Sequence, residues 1–66
     1  MPKRLYPVLV ETYQGRSPAG LSAPATAKPV EVALALREKG WAPYRIRFEP
    51  EEDAWIAKVI DWGRAA

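Results

Sequence analysis

An α+β fold is predicted for this 66-residue chain. Its order is β-α-β-β, with one helix packed on one face of a small three-stranded, mostly antiparallel sheet. Three observations predict it. Two apolar runs flank an acidic, proline-led turn between Tyr44 and Trp62. An eleven-residue, mostly apolar segment runs from Pro29 to Lys39 and stops before Gly40. A β-branched run follows Pro7 near the N-terminus.

The hairpin fixes most of the architecture. Tyr44, Ile46 and Phe48 alternate with Arg45, Arg47 and Glu49, the period of a half-buried strand. Pro50-Glu51-Glu52-Asp53 then breaks the pattern, and proline presets φ for the first inner position of a turn. Ala54 to Trp62 supplies the return strand. With a four-residue loop, Glu49 opposes Ala54, Phe48 opposes Trp55, Ile46 opposes Ala57 and Tyr44 opposes Val59. Opposed residues share a sheet face, so one face becomes largely apolar. A slip of one residue would mix arginines with Trp55, which disfavours it.

The other face carries Arg45, Arg47, Glu49, Ile56, Lys58, Ile60 and Trp62. It is too apolar for plain exposure and too charged for a dry core. Two readings follow. Ile56, Ile60 and Trp62 are candidate interface residues for self-association. Arg45, Arg47 and Lys58 are candidate contacts for an anion or nucleic acid. Against the second, binders of single strands place aromatic rings on the open face for bases to stack on. Parity here turns Tyr44, Phe48 and Trp55 toward the helix.

The helix is expected over Pro29–Lys39. Proline suits the first helical position, where its missing N–H costs nothing. Glu31 in the first turn and Arg37 and Lys39 in the last complement the helix dipole. Gly40 supplies the left-handed residue that ends the helix, and Trp41 can pack back on Leu36. Val30, Ala33, Leu34 and Arg37 form one stripe, which Val32, Ala35 and Leu36 widen. Such a helix should be largely buried, against the Tyr44/Ile46/Phe48/Trp55/Ala57/Val59 face.

The first strand is expected over Tyr6–Tyr13. Pro7 cannot donate a ladder hydrogen bond, so the strand starts there or lies at an edge. Residues 14–28, rich in Pro, Ala and Ser, show no period and are expected to be a flexible loop. Neither glycine there belongs to a phosphate-binding pattern. The whole chain is read as one small domain.

Composition narrows the function. The chain has no cysteine and no histidine, so disulfides, the usual zinc ligands and the common nucleophile–base pairs are absent. No catalytic residue, metal or cofactor is expected, and the protein is read as not an enzyme. A chain this short buries only about 60% of its unfolded surface, so a homodimer would help it. A net charge of +2 permits nucleic-acid binding without arguing for it. No apolar run approaches the roughly 20 residues of a membrane span, and a cytoplasmic location is expected. The absence of asparagine and the prevalence of Glu and Arg match a thermophile's usage.

The segment RFEPEEDAWIAKVIDWG resembles the first hairpin of HicB-type antitoxins: a strand, an acidic turn, an aromatic-x-Ala-x-Val-x-Asp strand, then Gly. In that family the helix follows the hairpin, whereas here it comes before. The resemblance implies a small antitoxin-like regulator of a larger protein. The leading expectation from the residues themselves is a non-enzymatic, self-associating interaction module. A nucleic-acid binder using the basic sheet face is the alternative.

Overall fold

The computed structural model describes residues 4–60. Strand β1 (Leu5–Thr12) turns through Tyr13-Gln14 into β2 (Gly15–Pro24). Helix α1 (Pro29–Glu38) follows, then β3 (Pro43–Glu49), a 3-10 turn (Pro50–Glu52) and β4 (Ala54–Val59). The sheet has four strands in the order β2-β1-β4-β3. β1 and β4 lie parallel in the centre, and the flanking pairs are antiparallel.

The α+β class holds, but the sheet has a fourth strand. Gly15–Pro24, expected as loop, is the edge strand β2. Its prolines and glycines hid it. An edge position tolerates Pro18 and Pro24, because one side of the strand needs no donor. Pairing also shifts between Val8 and Leu9, opposite Leu21 and Pro18, so Ala19 and Gly20 stand unopposed. Gly20 accepts a φ of 76° there, which suits a bulge. Pro7 sits where β1 has only β2 beside it, since pairing with β4 begins at Val8.

β4 is central because it can be buried on both faces. Ala54, Trp55, Ile56, Ala57 and Val59 are all buried, the pattern of a strand covered on two sides. Its pairing with β3 keeps Phe48 opposite Trp55, Ile46 opposite Ala57, Arg45 opposite Lys58 and Glu49 opposite Ala54. The expected register therefore stands over five positions. It fails at Tyr44, where a shift between Pro43 and Arg45 throws the ring outward. Tyr44 is 64% exposed instead of facing Val59. The reversal ends on Asp53 at φ 51°, a left-handed position that Asp tolerates better than most residues.

The helix begins and ends for the expected reasons. Pro29 occupies its first turn, and the Glu31 carboxylate accepts the Lys28 backbone N–H at 3.0 Å. Gly40 has φ 93°; its N–H donates to the Arg37 carbonyl and that of Trp41 to Leu36, both near 3 Å. These two bonds make a Schellman ending. The inward face differs from the expected stripe. Val32 and Leu36 are the buried pair, one turn apart, while Val30 and Leu34 are 59% and 55% exposed. One layer cannot cover both sides of a helix, so the widest apolar stripe was a poor guide to which side points in.

The core lies between α1 and the sheet: Val8, Val10, Val32, Leu36, Trp55, Ala57 and Val59. Ile46, Phe48 and Trp41 pack on it half-buried. Trp55 spans the centre. Its indole N–H donates to the Pro24 carbonyl at 3.2 Å, and its ring meets Phe48 edge-on at 5.5 Å. Phe48 in turn meets Tyr6 edge-on at 4.9 Å. These rings tie β2, β1, β4 and β3 on the helix side. Among the described residues no helix is long and apolar enough to cross a membrane.

Candidate functional site

The side of the sheet away from α1 carries the candidate residues. Alternation places Leu9 and Glu11 of β1, Ala54, Ile56 and Lys58 of β4, and Arg45, Arg47 and Glu49 of β3 there. Ile56 lies between Leu9 on β1 and Arg47 on β3, and has 0% exposure. Both neighbours are half-buried, and the Arg47 stem can share in that cover. Ile56 is thus enclosed within its own chain and presents no surface for an interface. Ile60, just past β4, is 48% exposed. Trp62, the third interface candidate, lies outside the described residues.

The charges on this side divide into satisfied and unsatisfied groups. Arg47 Nε donates to the Glu49 carboxylate on its own strand. Arg16 on β2 donates to Glu11 at 3.2 Å and to Glu52 in the β3–β4 turn. That second bond ties the β2 edge to the turn of the other hairpin. The hydrogen bond that Arg16 donates to Glu52 is the main reason its pKa is raised above the ordinary value. The guanidinium therefore stays charged through the whole working pH range. A raised folded-state pKa lends stability that fades only as pH climbs through that value, here in strong base.

Arg45 and Lys58 differ. They stand directly opposite each other across β3 and β4, and neither has an ion-pair partner among the described residues. Opposed like charges cost stability. Of the three candidate cations, then, Arg47 is already neutralised by a carboxylate, and Arg45 with Lys58 forms the uncompensated pair.

The two edges of the sheet are unlike. β2 blunts its edge with Pro18, Pro24 and the bulge at Ala19-Gly20. β3 has proline only at its first residue, Pro43, and runs regularly from Arg45 to Glu49. No strand pairs with its outer edge among the described residues. Ile46 and Phe48, the half-buried rim of the core, lie on this strand. An unpaired run of N–H and C=O groups beside incompletely covered apolar side chains is a template for another strand. Sequence reading located the residues of β3 but not its edge position, because strand order is not written in the pattern of any one strand.

A cleft of about 440 Å³ opens between α1 and β2. Val8, Leu21, Ala27 and Val32 form apolar walls, and Lys28 and Glu31 belong to its lining. It holds none of the histidine or cysteine that the commonest acid–base and nucleophilic chemistry uses, because the chain has none. Among the described residues, no three acidic side chains converge as a metal site would need.

No family model, curated protein or solved structure matches the chain. The likeness of its second hairpin to HicB-type antitoxins therefore rests on those residues alone.

Proposed function

We propose that the protein is a non-enzymatic interaction module that self-associates, with the outer edge of β3 as its contact. The observation that supports this reading is the difference between the two edges. β2 carries the devices that prevent strand addition, and β3 over Arg45–Glu49 carries none of the same kind. Size adds to the argument. A domain this small gains stability cheaply by extending its sheet through a second copy. Sedimentation velocity over a concentration series tests the reading. A shift from monomer to dimer with rising concentration is expected; a single monomer boundary throughout would remove it.

A second reading is favoured by the Arg45–Lys58 pair alone. Two like charges held face to face across neighbouring strands attract an anion, and nucleic acid is the polyanion to try first. The placement of Phe48 and Trp55 on the helix side leaves the opposite face without the rings a single-strand binder stacks on. Fluorescence anisotropy with short DNA and RNA at low salt separates the readings. Binding that is lost in Arg45→Ala would favour nucleic acid over self-association.

A further inference from the structure

The residues along the β3 edge favour one register for such a contact over the others. Two copies related by a two-fold axis must pair their β3 edges antiparallel, with one residue opposite its own copy. Three centres are available on the regular stretch. A centre at Ile46 sets Arg45 against the partner's Arg47 twice, which like charges oppose. A centre at Phe48 leaves only residues 47–49 opposed within the strands and brings Ile46 against Pro50, which has no N–H to give. A centre at Arg47 uses the whole stretch. It sets Ile46 against Phe48 twice, joining the two rims of the cores. It also sets Arg45 against Glu49 twice.

Resting on the self-association reading, we infer that the β3 edges pair about Arg47, so that Arg45 of each copy meets Glu49 of the other. The register removes a defect of the single chain. Arg45, opposed by Lys58 and without a carboxylate of its own among the described residues, gains one. Arg47 on the axis is the arginine best suited to face its copy, because its charge is already met by Glu49 of its own strand. The shift at Tyr44 ends the regular ladder on one side and Pro50 ends it on the other. Arg45–Glu49 is therefore the full length, and Arg47 is its midpoint.

The chain lacks cysteine, so single cysteines report the register cleanly. Ile46→Cys, Arg47→Cys and Phe48→Cys are compared for dimer formed under mild oxidation. The Arg47→Cys chain is expected to cross-link fastest, because only there do the two introduced thiols face each other. Fastest linking at 46 or 48 would overturn the register. A charge exchange checks it without perturbing the core. Arg45→Glu should weaken dimerisation about tenfold or more by sedimentation, since two attractions become two repulsions. Unfolding would not account for that loss, because the new carboxylate faces Lys58 and relieves the opposed charges. Adding Glu49→Arg should restore the dimer. A dimer indifferent to Arg45→Glu, or not restored by the double exchange, overturns the register and leaves self-association standing. A wild-type chain that stays monomeric overturns the self-association itself.

Discussion

At the scale of single residues, Trp55 carries the most. It is buried, edges onto Phe48 and satisfies its indole N–H on the Pro24 carbonyl. Trp55→Phe keeps an aromatic ring but removes that hydrogen bond, leaving the Pro24 carbonyl to the Ala27 N–H alone, and opens a gap. The lost hydrogen bond and the gap together should cost about 1–3 kcal/mol in urea unfolding followed by circular dichroism. The sequence made the partnership with Phe48 legible, since alternation on both sides of a four-residue turn admits few registers. It did not show the bond to Pro24. That bond depends on β2 being a strand, and Gly-Arg-Ser-Pro-Ala-Gly has neither the residue types nor the period of one. Tyr44 failed for a related reason: a bulge is a property of two strands together, and the run Tyr44-Arg45-Ile46 reads as regular when taken alone.

At the scale of elements, the helix separates what is local from what is not. Its start at Pro29 and its Schellman ending on Gly40 follow from residues within one turn of each end, and both were legible. Gly40→Ala should therefore cost about 1–2 kcal/mol, because φ 93° strains any residue with a Cβ. Among the described residues no atom lies within 4 Å of the added Cβ, so the loss would come from the backbone alone. Which face turns inward is a tertiary decision, and the composition of the helix left it open. Leu36→Ala and Leu34→Ala test the answer directly. The first empties a buried position and should cost roughly 2–5 kcal/mol. The second trims an exposed side chain and should stay within about 0.5 kcal/mol. Equal losses in chemical denaturation would mean that the packed face is not the Val32/Leu36 side.

At the scale of the whole molecule, stability and assembly become one quantity. A domain of this size holds only on the order of 3–10 kcal/mol against unfolding. Anything that binds the folded form alone adds to that by mass action, and a second copy is such a ligand. If the β3 edges pair, the melting temperature must rise with protein concentration. In a strictly monomeric chain it is flat. Salt gives the same experiment a second axis. Arg45–Glu49 contacts between copies would lie at a solvent-facing rim, where a Debye length near 10 Å at 0.1 M shortens to about 3 Å at 1 M. The Ile46–Phe48 contacts feel no such screening. The concentration dependence of melting should accordingly weaken at high salt without vanishing. A dependence that disappears would leave the dimer to charge alone, and one that salt does not touch would remove Arg45 and Glu49 from the contact.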